Sequence, residues 1–423
     1  MKSLTKINSS VFKINFDITK FFGNLFIIFS LLPWVNFGLN NMDSQPWSFV
    51  FGIFFLLSLK KVTFPDYSIN ILVLVFVGLV FTFLRTNSLE IFFSLRAIVN
   101  YLSLSLFYIL FYNYFIKYHF PFRIFVFFNF LWIGFGFLEL FSPELMKSIS
   151  IMRTDSSRGV TSLAPEPTFF AIFLFISSWI LAESKNFLIN KKMTIILLTN
   201  FIAVIFLAES ATVFLFYVIV VSVILISNFL HFSITLKIIK KNIVSYMIWI
   251  CLICIILIFA KNLLDETRLF SLIDKFLKAQ SILEIIINDA SINARVESVY
   301  FSTIGSFKNY LIPGGLDSFI EMRREILSLM EKEIFYNRVE SNKIMSWAGS
   351  LLYELGIFGL LIMVFFFKSI YKRTLKSFIN CITLFLVLFS AIPVAFPLIS
   401  ILFSLMVYKK KIQTLNQKQI HSI

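Results

Sequence analysis

The sequence predicts an all-α protein, a polytopic transmembrane helical bundle of about twelve spans at about twenty apolar residues per span, with a large outer-face loop. Three observations predict it. Of 423 residues, 58% are hydrophobic and only 14% charged, whereas a soluble domain carries roughly 25% charge; the mean hydropathy is +0.87. The apolar residues fall in runs of bilayer length, and the charges sit between the runs. A large soluble catalytic domain is excluded, because only 261–347 is polar enough and long enough to bury a core of its own. The chain 1–423 therefore reads as a single integral membrane domain.

The first predicted span, 21–39, follows a polar basic stretch that ends at Lys20, and no cleavable signal peptide is apparent. Spans at 47–59, 69–84, 96–116 and 122–141 are set apart by Lys60-Lys61, Arg85 and Pro121. The next, 168–182, opens behind Pro165-Glu166-Pro167, with Pro167 suited to a first helical position. Further runs at 193–208, 211–230 and 242–260 are bounded by lysine pairs and by Glu209. The last three, 348–367, 378–392 and 394–408, end in the basic tail.

The formal charge of +15 follows this alternation. With the N-terminus inside, segments on the cytoplasmic face hold 22 Lys and Arg, and outer loops other than the long one hold five. The long loop carries eleven basic and twelve acidic residues. This is the positive-inside rule, so the basicity reports topology, with both termini cytoplasmic, and not a nucleic-acid partner. Cys251, Cys254 and Cys381 all fall in apolar runs, where they read as small apolar residues rather than a redox or metal pair.

Two segments outside the bilayer stand out. The first outer loop, 142–167, is rich in Ser, Gly and Pro and carries Arg153 and Arg158. The large outer loop, 261–347, places Leu269, Ile273, Phe276 and Leu277, then Ile282, Ile285 and Ile286, at helical spacing. Such amphipathic helices are expected on the membrane surface. A turn at Pro313-Gly314-Gly315 separates them from a charged helical stretch expected over 317–339.

The cytoplasmic face has no segment large enough for a nucleotide-binding α/β unit, and the chain has no Gly-rich phosphate loop. Glu331 and Glu333 on one helix would point about 200° apart, a poor metal clamp. Of three histidines, His119 and His231 lie at cytoplasmic span ends and His421 in the tail, so an outer-face imidazole base or zinc site is disfavoured. No metal and no cofactor is expected. Whatever is activated must arrive already activated, in or from the membrane.

What the outer face offers is arginine: Arg85, Arg96, Arg153, Arg158 and Arg295. A guanidinium's fork of donors suits a diphosphate, although snorkelling or a loop ion pair explains any single one equally well. Glu166, bracketed by two prolines, is the sharpest carboxylate. It reads either as a helix cap or as a site residue that orients an acceptor hydroxyl or an arginine. Glu209, Ser210 and Glu354 are weaker candidates. Glu354 is an intramembrane carboxylate and so a functional candidate, or else a hydrogen-bonding group toward a neighbouring helix.

Four stretches resemble the O-antigen and capsular polysaccharide polymerases (Wzy type) of the wider polymerase and ligase superfamily: "RTDSSRGVTSLAPEPTFFA" from Arg153, "AESAT" from Ala208, "ARVESVYFSTIGSFKNYLIPGGLDSF" from Ala294 and "SWAGSLLYELGIFGLL" from Ser346. The resemblance extends to the hydropathy plan, with one mid-length outer loop before a larger one. It implies a GT-C-like polytopic glycosyltransferase of the bacterial inner membrane. Its substrates, donor and acceptor alike, would be undecaprenyl-diphosphate-linked oligosaccharides, with a chain-length regulator as a further partner, in O-antigen (lipopolysaccharide) biosynthesis. By resemblance, Arg153 and Arg158 match the first loop's basic positions, Glu166 its Glu-Pro and Arg295 the second loop's arginine. Glu166, Arg158 and Arg295 would be catalytic, and Arg96, Arg153, Arg158 and Arg295 would bind diphosphate. Where relatives often carry Ser-Arg this chain has Ser210-Ala211, and where ligases carry an outer-face histidine it has Lys343, Met345 and Trp347. That favours polymerase over ligase. A ligase and a lipid-linked oligosaccharide flippase or transporter remain the alternatives.

Overall fold

The computed structural model describes residues 17–35, 45–86, 91–149, 159–184, 191–232, 278–279, 281–330, 334–335, 344–372, 374–390 and 392–421. Among the described residues every regular element is a helix. In chain order these are α1 (Ile18–Ser30), α2 (Trp47–Ser58), α3 (Ser68–Arg85), α4 (Ile91–Tyr118), α5 (Phe122–Phe141), α6 (Pro143–Ile149), α7 (Pro167–Ser184), α8 (Lys191–Phe206) and α9 (Ala211–Phe232). There follow α10 (Ile282–Asn288), α11 (Ala290–Lys308), α12 (Phe319–Ser328), α13 (Trp347–Glu354), α14 (Ile357–Ile370), α15 (Leu375–Leu388) and α16 (Pro397–His421).

Among the described residues, four helices are long and apolar enough to cross a membrane: α3, α4 over Ser94–Tyr118, α5 and α7. Six further apolar helical segments of 10–17 residues are described, including Thr212–Val223 of α9. The 13 residues of α1 reach only about 20 Å at 1.5 Å per residue, against roughly 30 Å of hydrocarbon. The expected span 242–260 lies outside the described residues, as do Leu269, Ile273, Phe276, Leu277, Cys251 and Cys254.

Several expectations need correction: the helix expected over 21–39 ends at Ser30 and that over 378–392 at Leu388. The run 348–367 is not one helix: it breaks at Gly356, whose φ of +57° is open to glycine at little cost, into α13 and α14. The backbone groups freed there are met by the segment 311–314, as non-helical backbone within an apolar body requires. The Ile357 N–H donates to the Leu311 carbonyl at 2.6 Å, and the Gly314 N–H to the Tyr353 carbonyl at 2.8 Å. The expected span 394–408 starts later, at Pro397, and runs without interruption through the basic tail to His421.

α7 is the central helix. Twelve consecutive residues, Pro167 to Ser178, are buried, among α5, α8, α9 and α16. Trp132 on α5 stacks on Phe173 of α7 with centroids 4.1 Å apart. Deeper polar groups tie the same helices: Asn129 and Asn200 exchange amide hydrogen bonds at 2.7 and 2.9 Å, and Asn200 also donates to Ser178 Oγ at 2.7 Å. Interhelical amide bonds of this kind specify packing where lipid supplies no hydrophobic drive.

Lysines gather at the end of the bundle where α7 finishes. Lys409 pairs with Glu183 at 3.8 Å, Lys410 donates to the Ser369 carbonyl at 2.9 Å, and His119 bonds the Tyr408 hydroxyl at 3.0 Å. At the other end, the segment 309–318 lies over α3: the Leu316 N–H donates to Thr86 Oγ1 at 3.2 Å.

Of the helices within 261–347, α12 covers only part of the stretch expected over 317–339, because residues 334–335 are not helical. Its apolar face is turned toward protein: Phe319, Met322 and Ile326 join Phe301 of α11 and Tyr353 of α13 in a second apolar cluster. Glu297 of α11 and Arg323 of α12 clamp it with an ion pair at 2.5 Å. Burial pushes the Glu297 carboxyl above its ordinary value, and the guanidinium opposes this.

Candidate functional site

Two helices begin side by side and an arginine from a third joins them. α7 starts at Pro167, with the Glu166 carbonyl accepting from Phe169 N–H at 3.0 Å and Phe170 N–H at 3.3 Å. α9 starts behind Glu209-Ser210. Arg295, on α11, donates one guanidinium nitrogen to Thr168 Oγ1 at 2.6 Å and the other to Thr212 Oγ1. Thr168 and Thr212 occupy the first turns of α7 and α9, so the fork bridges two helix N-termini. Each N-terminus carries roughly half a positive charge from its unpaired N–H groups. Together with the guanidinium they make a locus suited to an oxyanion.

Three predicted residues share that locus. Glu166 immediately precedes Pro167, is half-buried, and its carboxylate has no hydrogen bond or ion pair among the described residues. Ser210 is 5% exposed and its Oγ finds no hydrogen-bond partner. Glu209 holds a left-handed φ of +45°, a conformation uncommon outside glycine that marks a constrained turn. Arg153 and Arg158 lie outside the described residues.

The loop that carries Glu166 is sunk into the helical body, with Val160 to Pro165 all buried. Non-helical backbone survives there only if its polar groups are satisfied, and Glu139 of α5 does most of this. Its carboxylate accepts from the Thr161 N–H at 3.0 Å, the Thr161 hydroxyl at 3.0 Å and the Ser162 N–H at 2.6 Å. The Ser162 hydroxyl donates to the Trp132 carbonyl at 2.6 Å, and the Val160 N–H to the Leu207 carbonyl at 2.7 Å. Gly159, with φ +99°, lies so close to the 207–208 backbone that a Cβ would stand 2.7 Å from the Ala208 carbonyl oxygen. The loop is thus pinned both to α5 and to the turn that starts α9. Glu139 is missed by the sequence reading, although a lone carboxylate in the run "FGFLELF" is a signal that could have found it. Thr168 and Thr212 carry no such signal.

A second locus lies nearby. Glu354, at the end of α13, accepts from the Tyr101 hydroxyl at 2.5 Å and interacts electrostatically with Arg96 of α4. Arg96 lines a cavity of about 80 Å3 whose wall also includes Asn100, Pro165 and Phe169. Arg96 and Glu354 are therefore brought together, and the cavity wall reaches the residue beside Glu166. Among the described residues no group of three or more His, Cys, Asp or Glu side chains is placed to hold a metal ion. Comparison of the chain with known protein families, with curated proteins and with solved structures finds no match.

Proposed function

We propose that this chain is a metal-independent membrane glycosyltransferase that polymerises lipid-linked oligosaccharide repeat units. It moves the growing glycan from its polyprenyl diphosphate carrier onto a new lipid-linked repeat, in O-antigen or related surface-polysaccharide synthesis. The observation that carries the proposal is the Arg295 fork across the starts of α7 and α9, beside the Glu166 carboxylate, which has no hydrogen bond or ion pair among the described residues. The motif resemblance and the absence of any nucleotide-binding segment support it. So does the gathering of lysines at the opposite end of the bundle, which favours a topology with that end cytoplasmic and the Arg295 end facing outward. In this topology the described apolar helices, four long and six shorter, belong to a GT-C-like bundle proposed to have about twelve spans.

The chemistry follows from the charges. The acceptor hydroxyl oxygen attacks the anomeric carbon, the carbon–oxygen bond to diphosphate breaks, and configuration inverts in the single displacement. Negative charge grows on the leaving diphosphate, where the guanidinium and helix N-termini stabilise it. Glu166 accepts the proton of the attacking hydroxyl. Arg153 and Arg158, in the same stretch of sequence as Glu166, are proposed to hold the carrier's diphosphate.

The test uses purified protein and lipid-diphosphate-linked repeat units, with no nucleotide sugar. A ladder of lengthening glycans is expected. Arg295→Ala should slow it by roughly 10²–10³-fold, the cost of removing one preorganised donor to a developing oxyanion. A requirement for nucleotide sugar, or full activity in Arg295→Ala, overturns the proposal. Deletion in cells should leave a single repeat on the acceptor; a complete loss of repeats would point instead to a ligase or a flippase.

A further inference from the structure

We infer that the cavity beside Arg96 is a saccharide subsite, which seats the terminal sugar of the acceptor so that its hydroxyl faces Glu166; this rests on the transfer reading above. Its volume of about 80 Å3 would admit roughly five to eight waters at 10–15 Å3 each, so it has room for a compact polar group. Three polar side chains on its wall, Ser48, Asn100 and Ser103, make no hydrogen bond among the described residues. Ser48 and Ser103 are only 5% and 2% exposed. Groups left in that condition call for hydrogen-bonding partners from whatever fills the space.

Most of the rest of the wall is aromatic rings and prolines, Trp34, Phe49, Phe107 and Phe169 among them. Trp34 is held between Phe396, stacked at 5.2 Å, and the edge of Trp132 at 5.9 Å, with Phe169 tilted against it at 5.4 Å. Flat apolar faces with a few convergent hydroxyl and amide groups match a pyranose, which has C–H faces and a rim of hydroxyls.

Charge separates this occupant from a diphosphate. Arg96 faces the Glu354 carboxylate, which offsets its charge, so this cavity suits a neutral polyol better than an anion. Arg96 is thereby assigned to sugar rather than to diphosphate. Pro165, in the cavity wall, directly precedes Glu166, so a hydroxyl at the cavity mouth is delivered to the proposed proton acceptor.

The experiment is thiol protection. Ser48→Cys and, separately, Ser103→Cys are made in a full-length chain whose three native cysteines are replaced, and labelling by a small maleimide is timed in detergent. The probes are methyl glycosides of the common hexoses, N-acetylhexosamines and 6-deoxyhexoses, and inorganic diphosphate. Saturable slowing by at least one glycoside, not reproduced by diphosphate, is expected. Asn100→Ala should weaken that protection about tenfold, the loss of one hydrogen bond. Slowing by diphosphate alone makes the cavity an anion site and overturns the inference, as does no protection at either cysteine or no labelling at all. Glycoside protection in a protein that builds no ladder would overturn the transfer reading and leave the subsite standing; a ladder without protection would do the reverse.

Discussion

Glu139→Ala offers the most direct test of how the site is held. The substitution removes the acceptor for three donors in the buried loop: the Thr161 N–H, the Thr161 hydroxyl and the Ser162 N–H. A buried donor left unsatisfied costs about 1–3 kcal/mol, and because the three relax together the loop should lose roughly 3–5 kcal/mol of local stability. At tenfold per 1.4 kcal/mol, amide exchange across 159–166 should quicken on the order of 10²-fold or more. Glu139→Gln keeps the shape but turns an amide N–H toward a backbone N–H, so its loss should be intermediate. Hydrogen-exchange mass spectrometry of that peptide, with the distal end around Lys409 as internal control, reads the effect, and ladder formation reads its consequence. Unchanged protection in Glu139→Ala would refute the account of how the loop is pinned. Lost protection with undiminished transfer would refute the claim that this pinning places Glu166.

Other outcomes follow from single contacts. The pair Thr168→Val and Thr212→Val removes both hydroxyls that steady Arg295. It should lower the turnover number more than it raises KM in the ladder assay, and equal effects on both would argue for binding alone. Gly356→Ala forces a side chain into left-handed backbone and against the Leu311 carbonyl, at roughly 1–3 kcal/mol of strain; a melting temperature in detergent equal to the parent's would contradict this. Glu297 has a folded pKa raised by burial, so the stability linked to its protonation is present below the unfolded carboxylate pKa and declines as pH rises through the raised value. Glu297→Gln should flatten the melting temperature against pH across that window, and a parent-like slope would dismiss the group as its source.

Helix positions were most legible where a single apolar run was closed by proline or charge. The expected 122–141 coincides with α5, and 47–59 with α2 to within a residue. Legibility failed where apolarity continued through a break: nothing in the hydropathy of 348–367 marks the change of direction at Gly356, which is decided by a turn some forty residues earlier. It fails again at the tail, where lysines end the apolar run but not the helix. Lys409 to His421 is nonetheless helical, because Lys, Gln and Leu are good helix formers whatever their charge. Within the site, Glu166 and Arg295 were legible singly, as a carboxylate between prolines and a guanidinium near lipid. That they meet through Thr168 and Thr212 was not, since a threonine in a first helical turn is unremarkable until the fold brings an arginine to it.

The placement of Glu166 has a further consequence for where function is encoded. A loop exposed to water may vary in length and sequence, because solvent meets its backbone groups. The 159–166 loop has no such latitude: its donors end on Glu139, on the Trp132 carbonyl and on the Leu207 carbonyl. Two of those three acceptors belong to α5, a helix that contributes no residue to the Arg295 fork, and the third to the turn from which α9 starts. The same backbone contacts that satisfy the loop therefore fix the spacing between the starts of α7 and α9, which is the distance Arg295 spans. The spacing that Arg295 spans is thus set from inside the apolar body, by hydrogen bonds whose loss would leave buried polar groups unpaired.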